Sequence, residues 1–369
     1  MSTLSSATKR LLVGRPLADA EEHNTLLPKR LALPVFCSDP ISSVAYATEE
    51  ILLVVGLAGV AALYLTGWVA AFVVLLMIVV IASYRQTCHA YPNGGGAYAV
   101  SRANLGQNAA LTAASALLVD YVLTVAVSVA AGVANLTSAI PSLAPHAVLI
   151  CLLVVTGLAL INLRGVKESG TLFALPTYGF VVMAMVLVVT GLIRVVIGDA
   201  PVAASASFGL SHTDPVTGLL LVALLMRAFA SGCTALTGVE AVSNGVPNFR
   251  APKSSNASAT LLVMGVLSIS LFVGITALAL ISHVHVAHQV SDLVGAPSGY
   301  VQPTVVAQLA AAVFGGSSLL FYLFQAFTVA ILVLAANTAF NGFPILGSIL
   351  GKDGYLPRQF ARRGDRLVF

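Results

Sequence analysis

The sequence predicts an all-α integral membrane protein with about eight transmembrane helices, two of which are broken near the middle of the membrane. Of its 369 residues, 58% are hydrophobic and only 9% are charged, whereas a soluble domain carries about 25% charged residues. Eight apolar stretches reach or approach the roughly 20 residues that a helix needs to cross a bilayer. Two of these stretches place an acidic residue beside helix-breaking residues, a pattern typical of secondary transporters.

The apolar stretches also divide the chain into regions. The predicted spans cover residues 33–57, 62–82, 108–136, 147–163, 172–197, 216–243, 257–281 and 319–345, and a short non-spanning helix covers 304–314. Around them we predict a cytoplasmic N-terminal arm over 1–32, a transmembrane transport domain over 33–345 and a cytoplasmic segment over 346–369.

The first span contains the more informative break. Asp39 is followed directly by Pro40, which removes a backbone donor and disfavours helix at the residue before it. A carboxylate at that depth is costly unless it faces a cavity, a partner or an ion. Tyr46, seven residues after Asp39, lies on the same face of the helix. We therefore interpret Asp39 and Tyr46 as lining a site at the break.

The sixth span has a similar pattern. Thr234, Thr237 and Glu240 follow one another at intervals of three residues, across Gly238. The first and sixth spans are five spans apart, so they cross the membrane in opposite senses. Such a pair is typical of an inverted repeat whose broken helices meet near the bilayer midplane.

The third span carries a polar stripe. Asp120, Thr124 and Ser128 are spaced i, i+4, i+8, which puts them on one helical face, and Tyr121 lies beside them. Carboxylate, hydroxyl and freed carbonyl oxygens replace the hydration shell of a hard cation such as K⁺. A carboxylate in a partly dry cavity can also carry a proton.

The basic residues predict the orientation. The segments 1–32, 83–107, 164–171, 244–256 and 346–369 hold 16 of the 18 Lys and Arg residues. Only Arg194 and Arg227 lie elsewhere. By the positive-inside rule these segments are cytoplasmic, which predicts a multi-pass protein of the cell membrane with a cytoplasmic N-terminus.

The polar membrane residues also have structural interpretations. Asp120 is then the ion-pair partner of Arg227, because an arginine inside the membrane needs a carboxylate. Thr124 and Ser128 are then hydrogen-bonded within their own helix, and Tyr46 is a packing aromatic. The sequence alone leaves these alternatives open.

Four motifs carry a resemblance to a known family. They are DPISSVAY at 39–46, DYVLT at 120–124, TALTGVEA at 234–241 and NGFP at 341–344. With these motifs the sequence resembles the amino acid–polyamine–organocation (APC) superfamily and, within it, the KUP-type (KimA-like) potassium:proton symporters. The resemblance implies a LeuT-like inverted-repeat fold of twelve helices followed by a cytoplasmic domain, a homodimer, and potassium uptake coupled to protons.

The resemblance also implies which residues line the path of the ion and the proton. They are Asp39, Tyr46, Asp120, Tyr121, Thr124, Ser128, Thr237 and Glu240. Our own hypothesis is that K⁺ binds at Asp39, Asp120 and Thr124 and that Asp120 or Glu240 carries the coupled proton. Because only eight helices are predicted, we expect the chain to be truncated at its C-terminal end relative to that family.

Two other functions compete with potassium uptake. One is an amino-acid or polyamine permease on the same fold, and the other is a truncated membrane component that does not transport. No nucleophile–base pair is recognisable, and His283, His285 and His288 fit a polar loop better than a metal site. We therefore expect no enzyme, no cofactor and no nucleic-acid partner, with the lipid bilayer and a small cation as the partners.

Overall fold

The protein is described by a computed structural model that covers residues 26–94, 96–163, 170–211 and 216–361. Within these ranges eight helical segments are long and apolar enough to cross a membrane, which confirms the predicted all-α membrane class. The predicted arm lies largely outside the described residues, and the first helix begins at Lys29.

The helices are numbered in chain order. They are α1 (Lys29–Ser42), α2 (Val44–Val55), α3 (Leu65–Ala90), α4 (Ala97–Asn104), α5 (Gln107–Ala139), α6 (Ala147–Leu163), α7 (Gly170–Val196), α8 (Gly218–Gly232), α9 (Glu240–Asn244), α10 (Lys253–Ile281), α11 (Val305–Phe314) and α12 (Leu319–Lys352). Two short strands, β1 (Gly209–Leu210) and β2 (Leu293–Val294), pair antiparallel. The first span comprises α1 and α2, and the sixth comprises α8, α9 and the segment between them.

The last spanning helix extends further than the hydropathy predicts. α12 continues to Lys352, beyond the predicted end at residue 345. Its final turns are stabilised by packing, because Leu346 and Leu350 are buried against Tyr98 of α4. This apolar packing extends α12 beyond the end that hydropathy predicts.

The break in the first span is smaller than predicted and lies at a different residue. α1 passes through Asp39 and Pro40 and ends at Ser42, and α2 begins at Val44. Ser43 between them keeps helical dihedral angles, with φ −60° and ψ −25°. Proline fits the helical φ and removes only one hydrogen bond, so Pro40 lies within α1, and the interruption, here called the bend, falls at Ser43.

The sixth span has a true break. α8 ends at Gly232, a 3₁₀ turn covers Cys233–Leu236, and α9 begins at Glu240. Thr237 is extended, with ψ 143°, and Gly238 has a φ of +74°. A left-handed conformation is readily adopted only by glycine, so Gly238 allows the helix to be interrupted here and to resume at Glu240.

The first span lies at the centre of the protein. In its most apolar stretch 72% of the residues are buried, against 6% for the span that contains α6. α1 packs against α7, α10 and α12, while α2 packs against α8. The face of α6 that carries Leu152 and Leu153 is exposed, as expected for a helix that borders lipid.

At one end of the helices a polar cap covers the protein; it comprises residues 199–211, 282–304 and α11. Thr304 caps α11, and its hydroxyl donates to Asn135 Oδ1 of α5 at 2.9 Å. The Ser205 hydroxyl donates to Gln308 Oε1 at 2.5 Å. The first of these hydrogen bonds attaches the cap to a spanning helix, and the second joins two segments within the cap.

At the opposite end the two broken spans are joined. The Leu27 backbone N–H donates to the Asn248 carbonyl at 2.8 Å, and the Arg250 N–H donates to the Leu27 carbonyl at 3.2 Å. The rings of Phe36 and Phe249 stack with their centroids 5.4 Å apart. The start of α1 and the segment after α9 are thus held side by side.

Candidate functional site

Asp39 faces the break of the sixth span. Its side chain is buried, and its Oδ1 lies 3.5 Å from the Thr237 hydroxyl. A Cβ atom on Gly238 would collide with the Asp39 carboxylate. The absence of a side chain at Gly238 therefore lets a carboxylate of the first span lie against the backbone of the sixth.

Ser43, at the bend of the first span, connects several groups of the site. Its hydroxyl lies 2.7 Å from Thr237 Oγ1 and 3.0 Å from the Tyr46 hydroxyl. It also donates to the Asp39 carbonyl at 3.0 Å. The Ser43 hydroxyl therefore joins the two bends through one hydrogen-bond network.

Glu240 lies next to this network. It is the first residue of α9 and is buried, and its Oε1 has no hydrogen-bond partner in the described part of the chain. Its charge interacts with those of Asp39 and Asp120, and the Tyr84 hydroxyl of α3 is also within electrostatic range. We call Asp39, Ser43, Tyr46, Thr237 and Glu240 the central site.

The polar stripe of α5 lies beside the central site. Thr124 and Ser128 are buried, and the Ser128 hydroxyl lies near that of Tyr46. Asp120 and Tyr121 are half-buried and interact with the site electrostatically. The structure thus brings Asp39, Tyr46 and Thr237 into one network, with the α5 residues around it.

The three carboxylates lack a compensating charge from the protein. Among the described residues, no ion pair involves Asp39, Asp120 or Glu240. Arg227, the alternative partner of Asp120, is exposed on the surface of α8 and forms no ion pair there either. Because like charges repel strongly in a medium of low dielectric constant, a bound cation or proton would stabilise this cluster.

The histidines do not form a metal site. No group of three or more His, Cys, Asp or Glu side chains within the described ranges is arranged to hold a metal ion. His285 is buried in the polar cap, where its Nδ1 lies 2.6 Å from the Phe208 carbonyl. His288 interacts electrostatically with Glu50. These residues support the cap.

Two residues of the central region were missed by the reasoning from sequence. Ser43 lies within the DPISSVAY motif, but a single serine carries little signal. Tyr84 is far along the chain from the sixth span, and only the packing of α3 brings it near Glu240. The i, i+3, i+4 neighbours of Asp39 on the helix were the available clue to Ser43.

Eight apolar spans, with bends in the first and sixth beside buried carboxylates, define a helical membrane protein of the kind that moves solutes. The particular family is shown by comparison with known sequences. The chain belongs to the amino acid permease family, whose model matches residues 32–367. This membership agrees with the LeuT-like fold class expected from the sequence.

The chain is also similar to a curated relative, the "Potassium transporter KimA" of Bacillus subtilis (strain 168). The two are 45% identical over 363 residues, which is 98% of this chain and 56% of the relative. The chain therefore spans little more than half the length of the curated relative that it matches.

Proposed function

We propose that the protein is a secondary active transporter that takes up potassium together with protons, as KUP-type symporters do. The observation that carries this proposal is the position of Asp39. Its carboxylate lies at the bend of the first span, against Thr237 and Gly238 at the break of the sixth. This is where secondary transporters of this architecture bind substrate.

The chemistry of the site favours a small cation. Carboxylate and hydroxyl oxygens of Asp39, Tyr46, Thr237 and the α5 stripe replace the water around K⁺. In this scheme Asp39, Asp120 and Thr124 contact the ion, and Tyr121 and Ser128 complete the path. The name of the relative, a potassium transporter, supports the choice of potassium over other cations.

The protons are assigned to Glu240 and Asp120. Both carboxylates are close enough to Asp39 for their charges to interact. When K⁺ binds at Asp39, release or uptake of a proton at Glu240 or Asp120 keeps the charge of the cavity nearly constant. Movement of the first and sixth spans relative to α5 and α12 then exposes the site to the other side of the membrane.

The proposal includes the placement in the membrane. The N-terminal arm over 1–32 and the segment after residue 345 lie in the cytoplasm, on either side of a transport domain over 33–345. The distribution of Lys and Arg supports this orientation. We also propose a homodimer, as in the family that the sequence resembles.

An amino-acid or polyamine permease is the second candidate, and the description of the matching family favours it. Amino-acid sites hold the substrate carboxylate with free backbone N–H groups at a half-helix. Here the bend of α1 is helical throughout, and the buried Asp39 would repel a carboxylate. An organic ammonium group fits the site better than an amino acid does.

Growth rescue tests the proposal. A bacterium without its own potassium uptake systems is grown on limiting K⁺ while it expresses the whole product of this gene, including any residues encoded beyond Phe369. Rescue, and its loss with Asp120→Asn, is the expected result. A correctly inserted protein that fails to rescue growth but takes up labelled putrescine or arginine would favour the second candidate.

A further inference from the structure

A crevice runs along the surface of the protein between α7 and α12, and its volume is about 570 Å³. It is lined by Leu175, Tyr178 and Val182 of α7 and by Phe327 of α12. Gly179 lets the two helices approach closely at its floor, because a Cβ atom there would collide with the Phe327 ring. Leu175 and Val182 are exposed on spanning helices, so the crevice opens toward the hydrocarbon of the membrane.

Tyr178 connects the crevice to the start of α1. Its ring lines the crevice, and its hydroxyl donates to the Arg30 carbonyl at 2.8 Å. The exposed side chains of Lys29 and Arg30 therefore begin beside an apolar crevice at the edge of the membrane. Within the described ranges neither side chain forms an ion pair. Two cations without a carboxylate partner are suited to a phosphate group, which a guanidinium binds through two parallel hydrogen bonds.

We propose that this crevice binds an acyl chain of an anionic phospholipid from the cytoplasmic leaflet, and that Lys29 and Arg30 bind the phosphate of the same lipid. The apolar walls match a hydrocarbon chain, and the two positive charges match an anionic headgroup. Basic residues beside spanning helices on the cytoplasmic side bind such headgroups. The inference concerns the outer surface of the protein and holds for any transported solute, so its test is independent of potassium uptake.

A lipid bound in this way joins two parts of the protein. Its headgroup is held at the start of α1, and its chain lies between α7 and α12. The bound lipid therefore contacts the folded arrangement of three helices, which the unfolded chain does not offer. A ligand that binds only the folded protein raises its melting temperature in proportion to its occupancy, so lipid binding can be followed by thermal unfolding.

The chain offers matched control positions for both parts of the site. Val182 lines the crevice and is 58% exposed, whereas Val189, seven residues further along α7, is 48% exposed and does not line it. A tryptophan at Val182 fills the crevice, and a tryptophan at Val189 adds the same bulk elsewhere on the helix. Arg358, exposed after α12 and in no ion pair among the described residues, controls for the loss of one positive charge.

The test uses the whole product of this gene in a mild detergent, and its melting temperature is followed as dioleoylphosphatidylglycerol or dioleoylphosphatidylcholine is added. We expect the anionic lipid to act at a lower concentration than the zwitterionic one. Arg30→Gln should raise the half-saturating concentration of the anionic lipid about fivefold, or ~1 kcal/mol, and Arg358→Gln less than about twofold. Val182→Trp should raise it about tenfold, or ~1.4 kcal/mol, and Val189→Trp less than about twofold.

Three results would overturn the proposal. Equal effects of the two lipids on the unmutated protein would show that no headgroup charge is recognised. Equal effects of Arg30→Gln and Arg358→Gln would show that the phosphate is not held at α1. Unchanged lipid binding in Val182→Trp would show that no acyl chain lies in the crevice, as expected if another part of the gene product covers it.

Discussion

Two carboxylates of the first span, Asp39 and Glu49, have very different surroundings. Glu49 Oε2 accepts a hydrogen bond from the Val305 backbone N–H at 3.0 Å, at the start of α11. Asp39 has a 3.5 Å contact with the Thr237 hydroxyl and lies near two further carboxylates. Glu49 thus stabilises the polar cap, whereas the charge of Asp39 is balanced by no basic group of the described protein.

The comparison separates an acidic residue that has a hydrogen-bond donor for a partner from one that lies among other acidic residues. An acidic side chain matched by a backbone donor at a helix N-terminus satisfies groups that the helix leaves free. A carboxylate buried among other carboxylates is stable only when a proton or a cation is added. Both are acidic residues of the same span, and they differ in the partner that each one meets.

The largest effect on uptake is expected when the charge of Asp39 is removed. Asp39→Asn keeps the shape of the side chain but removes the charge that attracts the ion, so potassium-limited growth should fall to the level of the empty vector. Glu49→Gln should retain most of the uptake, because an amide oxygen accepts the same N–H. Equal uptake by the two variants, at matched amounts in the membrane, would show that the central carboxylate is dispensable.

The next effect concerns the close approach of Gly238 to Asp39. Gly238→Ala should greatly reduce uptake, because its methyl group meets the carboxylate and its φ of +74° disfavours any side chain. Gly106→Ala is the control, since its φ is +88° but no atom lies within 4 Å of the new methyl group. Both substitutions place a side chain at a positive φ, which costs of order 1–3 kcal/mol, and a similar loss of uptake in both variants would assign the effect to backbone strain.

A smaller effect is expected from the α5 stripe. Thr124→Ala removes one neutral oxygen ligand and should raise the half-saturating K⁺ concentration about fivefold, or ~1 kcal/mol. Thr112→Ala on the same helix, where the hydroxyl only donates to the Asn108 carbonyl on the exposed face, should leave it unchanged. Tracer uptake over a range of K⁺ concentrations measures both. An unchanged value in Thr124→Ala would exclude Thr124 from the ion path.

The smallest effect lies outside the membrane, where Asp353 accepts hydrogen bonds from Arg102 and from the Tyr98 hydroxyl. The bond from Arg102 lowers the pKa of Asp353, while burial raises the pKa of Tyr98 to about 12, so Tyr98 stays a donor. The ionised Asp353 therefore stabilises the fold above its unfolded pKa of about 3.9, and this contribution is lost as the pH falls through the lower folded value. Asp353→Asn should lower the melting temperature slightly at pH 7, and the difference should shrink as the pH falls below about 3.9 and Asp353 takes up a proton; a difference that does not change with pH would point to another cause.

Sequence reasoning predicted the spans well because hydropathy directly reflects the environment of each helix. It placed the break of the first span at Asp39-Pro40, whereas the helix bends at Ser43, because proline is compatible with helical φ and packing supports the turn. From local spacing it named Asp39, Tyr46 and Thr237, which the structure brings into one hydrogen-bond network. It missed the contacts of the Ser43 hydroxyl with Thr237 and the approach of Tyr84 to Glu240, which depend on contacts between distant segments.

The backbone hydrogen bonds of Leu27 to Asn248 and Arg250 limit how the first and sixth spans can move. Two hydrogen bonds and a ring stack join the start of the first span to the segment after the sixth. Pulling the two apart breaks all of these contacts, whereas swinging them together breaks none. The two spans are therefore easiest to move together as one rigid unit. A rearrangement at either bend then moves both spans.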